Sequence, residues 1–479
     1  MVPVLTAAQC RDLDRTCLAQ SIPGSVLMET ASRNAVERCP LFTLPTSILV
    51  VCGNGNNGGD GFAMARMLSE RHDVVIAAVP NVQVMSSETR ANYQRVIDLK
   101  IPIVHPDLIP HIDVAIIVDA LIGVGGGADL RAPVGQWVCA INGHKAQVVA
   151  VDVPTGLDAT TGQANESAVT ATYTMTMEAL KPGLLGANGR RLCGVIILVS
   201  IGAPDGMAAA ASSTFVLESK DIRRILPPRI PRSHKYTYGH VMVLAGSPAM
   251  RGAAALAAEA ALRIGAGLVT LVSDAIHPLL PREVMTAGLD MAETVARRAS
   301  AIVAGPGWGR EQERLQLLAN TICAVPETPV VLDADGIKAL PQLKGRHSSM
   351  IVTPHEGEFR WLCDALSITP TAGQVPTAQQ VAKALGCTVH LKTIPPTSTD
   401  GNLTFFCTTG NPGLATAGSG DVLSGVIGGL LAQGVPQLQA ASLGAMIHGA
   451  AADSVVEHNS QESLIAGDLL RELGKVLAQ

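Results

Sequence analysis

The short apolar run Ser47-Ile-Leu-Val-Val-Cys52 passes without a break into Gly53-Asn-Gly-Asn-Asn-Gly-Gly-Asp-Gly61. A run this short and this apolar reads as a strand buried on both faces, the kind found inside parallel sheets. Helical spacing of Phe62, Met64, Ala65, Met67 and Leu68 follows the glycine-rich loop, and then comes a second apolar run, Val74 to Val79. Residues 47–79 therefore read as a βαβ unit. Two more apolar runs end in carboxylates, Val114-Ala-Ile-Ile-Val-Asp119 and Val148-Val-Ala-Val-Asp152. Parallel sheets gather ligand groups at the carboxyl ends of their strands, so Asn56, Asp60, Asp119 and Asp152 are expected on one rim. One Asp at a strand end is usually solvated or a cap. Several behind apolar runs in one domain favour a site.

Residues 1–30 read as a helical lead-in. Gly202 to Ser213 has linker composition, and beyond it the alternation restarts. Val241-Met-Val-Leu-Ala245 leads into the loop Gly246 to Gly252, then a long Ala-rich helix ending near Ile264. Leu268 to Val272, Ala301 to Ala304 and Val330 to Leu332 read as further strands. The fold class is thus α/β, in two domains at 1–213 and 214–479, the first Rossmann-like with three α/β/α layers.

Composition narrows the function classes. Of 479 residues, 47% are hydrophobic and 16% charged, so large cores are expected and disorder is not. Aromatics are only 3%, so those cores must be built from Ala, Val, Leu and Ile. Net charge is −5 with no Lys/Arg block, which argues against a nucleic-acid partner. No apolar stretch is long enough to span a bilayer, and the first residues do not read as a secretory signal. Ten scattered cysteines without a C-x-x-C pair fit reduced thiols in a cytoplasmic protein and speak against zinc.

The C-terminal half carries the densest motif, Asn411-Pro-Gly-Leu-Ala-Thr-Ala-Gly-Ser-Gly-Asp421, opening an apolar helix (Val422, Leu423, Val426, Ile427). Glycines at Gly418 and Gly420, with Ser419 between them, let backbone amides converge on an anion, and a helix N-terminus favours negative charge. Asp421 beside them is either a base for a hydroxyl or a plain N-cap. Three further segments end apolar runs: Thr353-Pro-His-Glu-Gly-Glu358, Gly305-Pro-Gly-Trp-Gly309 and Val389-His-Leu-Lys392. They offer His355 as a substrate contact, Gly307 as a close backbone approach and Lys392 as a phosphate partner. The plainer readings are a loop histidine and a solvated lysine.

The string from Asn411, the T-P-H-x-G-E turn and Asp333-Ala-Asp-Gly336 together resemble the ribokinase-like ADP/ATP-dependent NAD(P)H-hydrate dehydratases. Gly53–Gly61, Asp119-Ala-Leu-Ile-Gly123, Val151-Asp-Val-Pro-Thr-Gly-Leu157 and Ala179-Leu-Lys-Pro-Gly183 are similar to the NAD(P)H-hydrate epimerase domain. The whole chain resembles the bifunctional NAD(P)H-hydrate repair family. The resemblance implies a C-terminal ribokinase-like α/β fold and an epimerase domain bearing potassium on Asn57, Asp119 and Thr155. It implies substrate contacts at Asn56, Asn57, Gly58, Gly59 and Asp60. The turn Gly123, Val124, Gly125, Gly126, Gly127, Ala128, Asp129 would add others. Asp152 becomes the proton-transfer carboxylate, and Lys181 a weaker candidate. For the second domain it implies ADP, with magnesium, against Ala253, Gly307, His355, Lys392, Thr393, Ile394, Pro395, Pro396, Gly418, Ser419 and Gly420, with Asp421 as the catalytic base. NAD(P)HX and ADP would be the small-molecule partners, and a homo-oligomer, a tetramer, is expected.

The chain departs from the family at Thr393-Ile-Pro-Pro-Thr397, where a glycine-containing turn is usual and two prolines remove amide donors. Tyr236 and Pro248-Ala249 also stand where other residues are common, as does Gly125-Gly-Gly-Ala-Asp129. A vitamin or sugar kinase would explain Asp421 but leaves residues 1–200 without a role. A binding scaffold in the first domain, for dimerisation or RNA, is disfavoured by Asp60, Asp119, Asp152 and the acidic balance.

Overall fold

The computed structural model describes residues 1–343, 349–370 and 374–478. The chain divides into two compact units, Val2–Thr214 and Phe215–Gln479.

The N-terminal unit is built on a seven-stranded sheet. Its order is Ile103–Val104, Asp73–Ala78, Ser47–Cys52, Ile116–Ala120, Gln147–Val151, Tyr173–Met177 and Val195–Val199, with every neighbouring pair parallel. Strand order reverses beside Ser47–Cys52, because the chain first winds outward through Asp73–Ala78 and then returns to Ile116–Ala120 on the other side. Open α/β sheets bind ligands at such a reversal, beyond the carboxyl ends of the strands. Val51 lies in register with Asp119, and Asp119 with Ala150. Ile48, Leu49, Val50 and Val51 are fully buried, since their alternate side chains feed the two faces of a doubly covered sheet.

One expectation needs correction here. The glycine-rich stretch is a loop only as far as Gly55; the helix already runs over Asn56–Leu68. Its glycines serve proximity rather than flexibility. A Cβ on Gly58 would lie 1.9 Å from the Gly53 carbonyl oxygen, and one on Gly61 would lie 2.5 Å from Ala120 Cβ. The helix can therefore start directly over the strand ends. Helices Ala7–Ala19 and Gly24–Arg38 form the lead-in.

The C-terminal unit carries a second sheet. Met285–Ala287, Leu268–Val272, His240–Leu244, Ala301–Ala304, Val330–Leu332, Met350–Val352 and Thr388–Leu391 lie in that order, all parallel. An antiparallel pair, Thr397–Thr399 and Thr404–Phe406, continues it. Helix Arg251–Arg263 packs against helix Ser419–Ala432 through small side chains. Ala254, Ala257, Ala258, Ala260 and Ala261 are fully buried, and a Cβ on Gly425 would meet the Ala257 carbonyl oxygen at 2.2 Å. This close approach accounts for a core rich in Ala and Gly and poor in aromatics. No helix among the described residues is long and apolar enough to cross a membrane.

Candidate active sites

In the N-terminal unit, the carboxyl ends of Ile116–Ala120 and Gln147–Val151 bring Asp119, Asp152 and Thr155 close to the start of helix Asn56–Leu68. Asp119 is fully buried. Its Oδ1 accepts from Thr155 Oγ1 at 2.8 Å and its Oδ2 from the Thr155 amide at 2.9 Å. Burial pushes this carboxyl up to about 6, against the pull of those hydrogen bonds. Among the described residues it has no basic partner. Asn57 satisfies its amide when it donates to the Val151 carbonyl oxygen at 3.1 Å and accepts from the Gly123 amide at 3.3 Å.

Asp152 sits just past its strand with φ of 65°, a left-handed conformation that is uncommon outside glycine. The turn aims its carboxylate at two sides. Oδ1 accepts from Lys181 Nζ at 2.5 Å and from the Met177 amide at 3.2 Å. Oδ2 accepts from the Val124 amide at 3.3 Å and faces the Gly123 turn, where a Cβ on Gly123 would stand 3.1 Å away. Lys181 is 1% exposed. Its ammonium spends its other donors on Thr176 Oγ1 and the Met177 carbonyl, both at 2.9 Å. The lysine is thus fully paired inside the site rather than solvated. Asp60, partly buried on the same helix as Asn57, is pushed well above the usual carboxylate range by desolvation and then by the charge of Asp152. Of the turn Gly123–Asp129, Val124 touches Asp152, while the Ala128 carbonyl accepts from Asn165 Nδ2 at 2.8 Å.

In the C-terminal unit, helix Ser419–Ala432 is capped by Gly418, which has φ of 90° and makes no side-chain cap bond. Asp421 is therefore not the N-cap; it lies in the first turn. A helix leaves its leading amides without intrahelical acceptors; the Ser419 amide turns back to the Thr416 carbonyl at 3.4 Å, and those of Gly420 and Asp421 follow it at the helix start. Lys392 stands over it: a Cβ on Gly420 would lie 3.1 Å from Lys392 Nζ. That ammonium donates to Asp333 Oδ1 at 2.6 Å. Asp421 is pushed up to about 7, first by burial and then by the charge of Asp333, with Lys392 opposing. Gly307, with φ of 57°, approaches Met250 and Ala253 so closely that a Cβ would fall 2.6 Å from the Met250 carbonyl oxygen. Gly307 and Ala253 are thus neighbours. Thr393 to Pro396 form an irregular turn with a cis Ile394–Pro395 bond, and the Pro396 carbonyl accepts from the Cys407 amide at 2.9 Å.

His355 also has a structural job. It is the N-cap of helix Glu356–Ala365, and its Nδ1 accepts from the Gly357 and Glu358 amides at 2.9 and 3.3 Å. Glu358 completes a capping box by accepting from the His355 amide at 3.0 Å. This cap uses the His and the Glu of the T-P-H-x-G-E turn and leaves the His355 side chain 62% exposed.

Sequence reasoning missed the groups that hold the motif in place. Helix Gln437–Val456 runs behind the loop 409–421 and grips it repeatedly. Thr409 Oγ1 donates to the Met446 carbonyl at 2.8 Å. Asp453 accepts from the Gly410 amide at 2.8 Å and from Asn411 Nδ2 at 2.9 Å. His448 Nε2 donates to the Ser419 carbonyl oxygen at 2.9 Å. Burial holds His448 down at about 4, so its imidazole stays neutral. A histidine and an aspartate five residues apart on one apolar helix gave the only hint.

Two α/β units, each gathering buried carboxylates and a lysine at the carboxyl rim of a parallel sheet, define a two-domain enzyme of small molecules. Comparison with known proteins makes this specific. Residues 241–475 match the family described as NAD(P)H-hydrate dehydratase, and residues 24–183 match YjeF-related protein N-terminus. The bifunctional NAD(P)H-hydrate repair enzyme of Coxiella burnetii is 34% identical over 97% of this chain and 97% of its own. That of Escherichia coli K12 is 32% identical over 90% of this chain and 84% of its own. A ribokinase-like superfamily protein of Enterococcus faecalis V583 matches in structure, with a TM-score of 0.51 and 26% identity over 56% of this chain and 96% of that one. The chain belongs to the bifunctional NAD(P)H-hydrate repair enzyme family.

Proposed function

We infer that this enzyme restores hydrated NADH and NADPH in two steps, one in each unit. Water added at C6 of the dihydronicotinamide ring gives two epimers. The N-terminal unit would interconvert them, with Asp152 moving the proton. Its Oδ1 is fixed by Lys181 and Met177, which leaves Oδ2, facing the Gly123 turn, as the oxygen for substrate. Asn56 to Asp60 and Gly123 to Asp129 would line that substrate. A potassium ion suits Asn57, Asp119 and Thr155: the donors are hard oxygens, and Asp119 is a buried carboxylate without a basic partner among the described residues. Bound there, the cation would supply positive charge to the pocket.

The C-terminal unit would transfer a phosphoryl group from ADP to the C6 hydroxyl of the S epimer. Asp421 takes the hydroxyl proton, and the amides of Gly420 and Asp421 with Lys392 stabilise the transferring charge. Phosphate then leaves from C6, C5 gives up a proton and the C5–C6 double bond re-forms, so NAD(P)HX and ADP give NAD(P)H, AMP, phosphate and a proton. Gly307, Ala253 and Thr393 to Pro396 flank the nucleotide, and magnesium would arrive with its phosphates. The observation that carries this reading is the joint placement of Asp421, Gly420 and Lys392, a base, an amide and a cation at one helix start.

The test is to incubate the full chain with mixed NADHX epimers and ADP and to follow the return of NADH absorbance. Complete recovery is expected. Asp152→Asn should leave one epimer unconsumed, and Asp421→Asn should slow dehydration about 10²–10⁴-fold. No recovery with either ADP or ATP would refute the reading.

A further inference from the structure

We propose that Asp333 is a positioning residue of the C-terminal site, anchoring the Lys392 ammonium beside the Gly420 amide where a transferring phosphoryl group would meet Asp421. The inference rests on the phosphoryl-transfer reading above. Asp333 follows the strand Val330–Leu332 and is 1% exposed. A single oxygen, Oδ1, takes both Lys392 Nζ at 2.6 Å and Thr353 Oγ1 at 2.7 Å. Thr353, fully buried, follows the neighbouring strand Met350–Val352, and Lys392 follows the next one, Thr388–Leu391. Three adjacent strand ends thus converge on one carboxylate oxygen.

A lysine is a point charge on a flexible stem, so its direction must be imposed from outside. Two carboxylates compete for this one. Asp421 lies near enough to feel both Lys392 and Asp333. Were Lys392 to pair with Asp421, the base would be occupied and the cation turned away from the phosphate. The short charge-assisted bond to Asp333 prevents that pairing. The negative charge of Asp333 also helps to hold Asp421 at about 7, where a base accepts and releases a proton readily.

Asp333→Asn in the full-length enzyme separates this role from a purely structural one. The amide keeps the shape and can still accept from Thr353. The pH profile of kcat/KM for ADP reads groups on the free enzyme. The variant should lose about tenfold or more in dehydration, as expected for a displaced charged group. Its acid limb should move to lower pH, because the charge that raises Asp421 is gone and Lys392 is released toward it. An acid limb in the wild-type position, or a rate within about twofold of wild type, overturns the proposal. Should Asp333→Asn fail to fold, Lys392→Met provides the second arm. Removing the cation that opposes Asp421 protonation should move the limb to higher pH, and an unmoved limb overturns the proposal equally. Wild-type protein inactive on NADHX with ADP would instead refute the functional reading itself.

Discussion

Replacing Lys181 by Met removes an ammonium while keeping an unbranched apolar stem. In the structure that ammonium is 1% exposed and donates to Asp152, Thr176 and Met177. Its loss strands the Asp152 carboxylate, whose side chain is 9% exposed, with only the Met177 and Val124 amides as donors. Breaking one partner out of a buried pair costs about 3–5 kcal/mol, because the remaining charge is uncompensated. At 1.4 kcal/mol per tenfold, amides that exchange only on global opening of this unit should exchange roughly a hundredfold to several thousandfold faster. Hydrogen exchange read by mass spectrometry on the full chain measures this directly. Peptides covering Ser47–Cys52 and Gln147–Val151 report the effect, and those covering His240–Leu244 serve as an internal reference. The double variant Lys181→Met with Asp152→Asn removes both charges and should recover much of the protection. Unchanged exchange in Lys181→Met would refute the argument. So would a double variant no better protected than the single one.

Two further outcomes follow from the same geometry. Asp119 is raised to about 6 in the folded protein from 3.8, so ionising it works against folding as pH rises through that interval, and a bound cation offsets this. Potassium chloride should therefore raise the melting temperature more at pH 8 than at pH 5, relative to a bulky organic cation; the opposite trend would count against a cation at Asp119. His355→Ala should lose about 1 kcal/mol from its helix cap and speed exchange in Glu356–Ala365. Its KM values for ADP and NADHX should stay within about twofold of wild type if the cap is its whole role, and a tenfold rise in either would show that the ring also contacts that ligand.

Much of the rim was legible because apolar runs announce buried strands, and three of them lead into Asp119, Asp152 and Asp333. The start of helix Asn56–Leu68 was not, since Asn and Gly are poor helix formers and nothing local reveals the close packing that demands them. Lys181 read as an ambiguous lysine because its partner lies 29 residues back in the chain. Asp333 and Lys392 are 59 apart, and His448 is 29 from Ser419. Such pairings leave no period in the sequence. They exist only once the strands are laid side by side.

The grip of helix Gln437–Val456 on the loop 409–421 has a consequence for the function proposed above. The loop borrows the stiffness of a 20-residue helix, which fixes its backbone through Thr409, Gly410, Asn411 and Ser419. In the proposed reaction an anion would meet a loop already shaped, with little order created on contact. The same stiffness would act at the end of the proposed cycle, because a loop held from behind keeps its shape as the products leave.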